Sequence, residues 1–276
     1  LYLFYSASAL WPFTASPTRI NYRTTRKKWT FNAQELHELN VVSDYNMDVS
    51  FVKSGNGTNS VLLQGKGTPK MIEDTTKTEI SEQSLQLALT REGRGFNLFN
   101  FNLSDSTQHL TISVTDDAVW EKLNLELDSG NVRVNDAAVT KLLDAKITVD
   151  SGNISIKNFK SEQLNFQVDS GNVTAEDVQA NLTGATDSGN IQIRNFAGDS
   201  KLSVDSGNIK LYKQDIGETD LSADSGNVYV QMPSSFAGFY DLQADSGSVR
   251  APDSKRETND YVKVRTDSGN ITVEQK

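Results

Sequence analysis

Eight aspartates recur in one setting, each opening an Asp-Ser-Gly triplet: Asp128, Asp150, Asp169, Asp187, Asp205, Asp224, Asp245 and Asp267. If the fold brings them into a column, they could hold Ca2+ between neighbouring units, because Ca2+ takes oxygen ligands from carboxylates and turn carbonyls. They could also supply carboxylate pairs for cleaving a polysaccharide. The third reading is structural: each Asp accepts backbone N–H bonds in an Asx turn and turns its charge to water. Carboxylates stacked at strand spacing repel by roughly 1 kcal/mol per neighbouring pair in water, so one of these arrangements must offset that cost. A glycosidase needs two carboxylates in different environments, whereas every unit here repeats the same one. A lyase would add a basic side chain; Arg133 and Arg194 follow a triplet by five and seven residues, where surface charges on strands are common. The structural reading is therefore the expectation, and the Ca2+ column its alternative. No other cofactor is expected.

Other chemistries have little to work with. The chain has no cysteine, which excludes thiolate metal sites and Cys nucleophiles, and its only histidines are His37 and His109. No phosphate-binding glycine loop or Ser-His-Asp set is present. The formal net charge is −9 with a sequence pI near 4.8. That field argues against nucleic acid, which selects clustered Lys and Arg.

The elements that must position the triplets are legible in the flanking residues. The triplets are 22, 19, 18, 18, 19, 21 and 22 residues apart, and seven of the eight continue with Asn, the exception being Ser248. The next residue is always β-branched: Val132, Ile154, Val173, Ile191, Ile209, Val228, Val249 and Ile271. Upstream, apolar residues stand one and three places before the Asp, as Val149 and Ile147 or Val204 and Leu202 do. Period-two alternation means strands with one buried face. Across the motif the phase slips by one residue, as a corner or bulge would make it, with glycine supplying the positive φ. Gly130, Gly152, Gly171, Gly189, Gly207, Gly226, Gly247 and Gly269 are the expected structural corners. A further apolar residue often follows nine places past the Asp, as Phe159, Val178 and Phe196 do, at a second turn.

A unit of 18–22 residues cannot bury its own apolar face, but stacked copies can. The expected fold is all-β, a parallel β-solenoid (β-helix) with DSGN corners, its eight Asp in one column and its Asn residues in an amide ladder. A hydrophobic share of 36% suits such a thin structure better than a large round core.

Three regions are expected. Residues 1–31 form an apolar then basic leader, with "LYLFYSASALWPFTA" followed by Arg19, Arg23, Arg26, Lys27 and Lys28, read as the remnant of a membrane anchor. Basic residues just after a span favour the cytoplasmic side, so an outward-facing body requires a more basic segment ahead of Leu1. Residues 32–120 form irregular first coils and a cap, with "SGNG" at Ser54–Gly57 as a degenerate corner and "MIEDTTKTEISEQ" as a polar insertion. Residues 121–276 form the regular solenoid, with 24 acidic against 16 basic residues. The stretches "YKQDIGE" (Tyr212–Glu218) and "MPSSFAGFY" (Met232–Tyr240) depart most from their neighbours. Phe236, Phe239 and Tyr240 are candidates either for a contact surface or for packing along the solenoid's side.

Tandem DSGN[IV]x[IV] units behind an apolar N-terminal segment resemble the bacterial putative-adhesin domain family of unknown function, whose members include LiaG-type envelope proteins of Gram-positive bacteria. The resemblance covers residues 121–276 and extends over 35–120. It implies a β-solenoid on the extracytoplasmic face of the cell membrane, linked to surface attachment or envelope stress, and brings no catalytic residue with it. The function expected is thus non-enzymatic: a scaffold whose partner is an envelope protein or surface glycan. Its rivals are a calcium-dependent adhesive module and a polysaccharide-active β-helix enzyme.

Overall fold

The computed structural model describes residues 22–90, 107–136 and 141–276. The anchor expectation for Leu1–Ala15 lies outside them. Among the described residues no helix is long and apolar enough to cross a membrane.

Alternation of apolar and polar side chains runs through nearly every strand, and the strands form one continuous seventeen-stranded sheet, mostly parallel. The regular part begins with β6 (Val119–Asn135), β7 (Lys141–Ser170), β8 (Val173–Ser188) and β9 (Ile191–Ala197). It continues through β10 (Ser200–Ser206), β11 (Ile209–Lys213), β12 (Thr219–Ser225) and β13 (Val228–Met232). The last strands are β14 (Phe239–Ser246), β15 (Val249–Arg250), β16 (Tyr261–Ser268) and β17 (Ile271–Gln275). Residues before each motif pair with residues before the next, as Leu202 pairs with Leu221, and residues after it likewise, as Ile191 pairs with Ile209. The result is a β-solenoid-like stack with one core. Ile147, Val149, Ile154, Ile191 and Ile209 are fully buried at 0% exposure, and each such side chain contributes about 1.5–3 kcal/mol against leaving it in water.

The stack does not follow chain order at its C-terminal end. Both β12 and β14 pair with β16, and both β13 and β15 pair with β17, so the last coil inserts between the coils of Asp224 and Asp245. This corrects the expectation of consecutive stacking. The physical reason lies in the two sequences. β16 and β17 present Val262, Val264, Ile271 and Val273, all buried, whereas β14 and β15 present half-buried Leu242 and Ala244 and exposed Val249. β17 is a five-residue strand carrying Ile271 and Val273, whereas β15 stops after two residues ahead of Ala251 and Pro252, and a proline that cannot donate to a ladder suits the end place.

The opposite end is capped by reversed strands and a helix. β2 (Glu38–Lys53) stacks in parallel on β6, and also on β4 (Ser84–Leu89) and β5 (Gln108–Val114). β3 (Asn59–Gly67) runs antiparallel to β5, and β1 (Arg23–Phe31) antiparallel to β3. The leader expectation therefore fails over Arg23–Phe31: Thr25, Trp29 and Phe31 alternate inward and are buried. The rings of Phe31 and Phe51 meet Trp120 edge-on at 6.2 and 5.6 Å. The SGNG stretch is a chain reversal leading into antiparallel β3 rather than a coil corner, closed by Thr58 N–H donating to Ser54 Oγ at 3.1 Å. Part of the polar insertion folds as helix α1 (Pro69–Lys77). Thr68 caps it by accepting from Met71 N–H at 3.2 Å, and Pro69 opens the first turn, where its missing N–H costs nothing.

Candidate functional site

The motif builds two parallel lines of side chains along the stack. The Asn line is a continuous hydrogen-bonded ladder. Asn190 donates its backbone N–H and its Nδ2 to Oδ1 of Asn172 at 3.1 and 3.0 Å, and Asn208 does the same to Asn190 at 3.1 and 2.9 Å. The pattern holds through Asn153, Asn172, Asn227 and Asn270. Each Asn accepts from one neighbour and donates to the other, so only the ends can differ. At one end Asp48, an acceptor without donors, takes the bond from Asn131 Nδ2 at 3.0 Å. At the other, Ser248 donates from N–H and Oγ to Asn270 Oδ1 at 3.0 and 2.7 Å and has no further coil to serve.

Beside the ladder the glycines are in contact with one another. Gly171 and Gly189 have φ of +152° and +154°, and a Cβ on either would overlap the carbonyl oxygen of the glycine one coil earlier. Both the backbone conformation and the spacing therefore exclude a side chain.

The Asp line is different from its expectation. Apart from Asp245, which accepts from Gln243 Nε2 at 3.0 Å, no aspartate of the eight has a hydrogen-bond or ion-pair partner among the described residues. The Asx-turn bonds are not formed, because the backbone N–H groups of the motif are taken by the neighbouring coil, as in Gly189 N–H to Ser206 carbonyl at 3.0 Å. The carboxylates stand exposed, with Asp169 half-buried. Thinned hydration between the coils, then the charges of Asp169, Asp128 and Glu126, push the Asp150 carboxyl above its ordinary value. Among the described residues no three His, Asp or Glu side chains converge on a point able to hold a metal ion.

A second polar column escaped the sequence reading. Asp136, Asn158, Asp177 and Asn195 stand eight places past their Asp and all have positive φ, from +51° to +60°. Asn158 donates to Asp136 at 3.0 Å and Asn195 to Asp177 at 2.9 Å. The signal was present as Asn or Asp before Phe159, Val178 and Phe196, since these residue types tolerate the left-handed region best after glycine. In the next coil Lys213 pairs in register with Phe196 and fills that core position. Its buried ammonium donates to the carbonyls of Gly198 and Gly217, both at 2.6 Å, beside Asp215 at 3.4 Å. Burial lowers its pKa, and Asp215 and Asp199 oppose the shift.

Of the aromatic candidates, Phe236 is buried and packs on Tyr240 at 5.2 Å, and Phe239 lies on Tyr261 at 6.1 Å; they serve packing at the stack's end. Arg194 lies over the ring of Tyr212 at 5.7 Å, and Tyr212 meets Tyr229 at 5.3 Å, on the outward side of the post-motif strands. Arg133 is exposed.

The outward side of the pre-motif strands carries a shallow groove of about 280 Å3. Thr183, Gly184 and Ala185 form its low centre, between Asn165 and Gln167 on one side and Lys201 and Ser203 on the other. Gly184 is required there, since a Cβ would overlap the ring of Phe166. Lys146 and Thr148 bound it on the preceding coil, and Asp220 and Ser222 on the following one.

Parallel strands repeating one turn motif around a single apolar core define a β-solenoid-like protein whose motif Asn side chains bond from coil to coil while its motif Asp side chains do not. The chain belongs to the Toastrack DUF4097 family, which matches residues 38–274. Among solved structures it is similar to a putative adhesin from Parabacteroides distasonis at 13% identity and TM-score 0.42, covering 93% of this chain and 98% of that one. It is also similar to a putative adhesin from Bacteroides fragilis at 10% identity and TM-score 0.40, covering 92% and 98%. A third is a putative cell adhesion protein from Clostridium sporogenes, at 12% identity and TM-score 0.30 over 93% and 100%. No curated protein matches the chain.

Proposed function

We propose that this chain is a non-enzymatic, cell-envelope-associated β-solenoid that binds a surface partner, with its DSGN units acting as the corners of the coils. The observation that carries this reading is the division of labour among side chains. The motif Asn and Gly groups are consumed in coil-to-coil contacts, while the outward residues of the strands vary from coil to coil and face solvent. Seven of the eight repeated aspartates are exposed and Asp169 is half-buried, and no basic or further acidic side chain among the described residues pairs with them to form a hydrolytic set. The envelope location rests on the resemblance of the tandem motif.

The test is sedimentation of the purified chain with isolated bacterial envelopes, with released reducing ends measured in the same tubes. Co-sedimentation without sugar release supports the reading. Sugar release abolished by an Asp substitution in a single coil, with the fold intact, replaces it with the enzyme. The unpartnered Asp line favours one second reading, a calcium-dependent module, which a strong rise of the thermal midpoint in millimolar Ca2+ over excess chelator would establish.

A further inference from the structure

We infer that the groove over Thr183–Ala185 is a binding site for an extended acidic polysaccharide lying along the stack axis. The inference deepens the envelope-binding reading and rests on it.

The groove crosses the strands, so a ligand in it meets one strand after another at a rise of about 4.8 Å. At each step it finds short hydroxyl or amide groups: Thr148, then Asn165 and Gln167, then Thr183, then Ser203 and Ser222. A row of donors and acceptors repeated at constant spacing matches a polymer with hydroxyls repeated along its length. Between these groups the floor is apolar, formed by Phe166, Gly184, Ala185 and Leu202, and a sugar polymer offers apolar ring faces as well as hydroxyls.

The charges select the class of polymer. Lys146 and Lys201 flank the groove three strands apart, roughly 14 Å at that spacing. Neither makes a hydrogen bond or ion pair among the described residues. The neighbouring cations are neutralised, Lys263 by Asp220 at 3.1 Å and Arg265 by Asp241 at 2.6 Å. Two free ammonium groups on a protein of net charge −9 mark this place for carboxylates carried on separate sugar units. They are too few to hold a nucleic acid against that overall field.

The test is calorimetric titration of the full chain with polygalacturonate, with dextran as the neutral polymer and polyglutamate as the acidic polymer without sugar. Three proteins are compared: the native chain, the Lys146→Gln/Lys201→Gln variant, and Ala185→Trp, which fills the groove and leaves both charges. Circular dichroism and thermal melts confirm that each is folded. Native protein should bind polygalacturonate and neither control, with affinity falling as salt rises. The double variant should bind at least tenfold more weakly, and Ala185→Trp should lose binding. Equal binding of polyglutamate overturns the sugar assignment. Polygalacturonate binding that survives both variants overturns the groove and leaves the envelope reading standing. Envelope sedimentation that is lost on protease treatment but not on removal of polysaccharide identifies a protein partner and again overturns the groove alone. No envelope sedimentation at all overturns both.

Discussion

Gly189→Ala separates a corner residue from a decorative one. Gly189 has φ of +154°, a conformation that is essentially glycine's, and an L side chain held there costs about 1–3 kcal/mol. The added Cβ also overlaps the Gly171 carbonyl, so the coils must part locally. Parting them weakens coil-to-coil bonds such as Gly171 N–H to Ser188 carbonyl at 2.9 Å, each worth about 1 kcal/mol. The combined loss is about 3 kcal/mol, which in a domain of this size lowers the thermal midpoint on the order of 6–12 °C. Two controls bracket the result. Gly55→Ala makes the same change where no atom stands within 4 Å of the new Cβ and the backbone is unstrained, and it should change stability by less than about 0.5 kcal/mol. Asp187→Ala, in the same motif but exposed and without a partner, should be equally mild. Urea unfolding of the four proteins decides the matter. If Gly189→Ala is as benign as the controls, the glycine column does not set the coil contact and the corner argument is wrong.

The Asn ladder makes a positional prediction: Asn190→Ala should cost about 1–2 kcal/mol by urea unfolding, whereas Ser248→Asn at the open end should be near neutral. Equal effects would refute a directional ladder. Asp150 predicts a pH dependence. Its folded pKa is raised, so the folded state binds the proton more tightly, and stability increases as pH falls from the raised value toward the ordinary one. Asp150→Asn should therefore be as stable as the native chain or more so at neutral pH and flatten that part of the profile; a loss above about 0.5 kcal/mol would refute the repulsion. Lys213→Ala strands two carbonyls that a buried ammonium now satisfies and should cost about 3 kcal/mol in the same assay, while a loss under about 1 kcal/mol would show the lysine to be dispensable.

Local and repeated information was legible in the sequence. Alternation upstream of each Asp, a β-branched residue downstream and an intervening glycine state which side chains face inward, because strand periodicity and the glycine conformation are properties of a few residues at a time. Phe159, Val178 and Phe196, expected at a second turn, are buried and lie within β7, β8 and β9, each directly after a positive-φ residue. The Asn ladder was anticipated from repetition alone. What the Asp residues do was not, because their N–H donors were claimed by a neighbouring coil, and competition between local and long-range bonds is invisible within one motif. The order of the last coils was likewise decided by the tertiary structure: the chain writes Asp224, Asp245, Asp267, and the stack reads Asp224, Asp267, Asp245. Ser248 was the trace of that inversion, since only the terminal member of a ladder can do without the side-chain amide that reaches the next coil. Sequence determines what each coil can bury and donate. Which coil has a neighbour on both sides is set when whole coils compete for the interior place, and only the folded stack records the outcome.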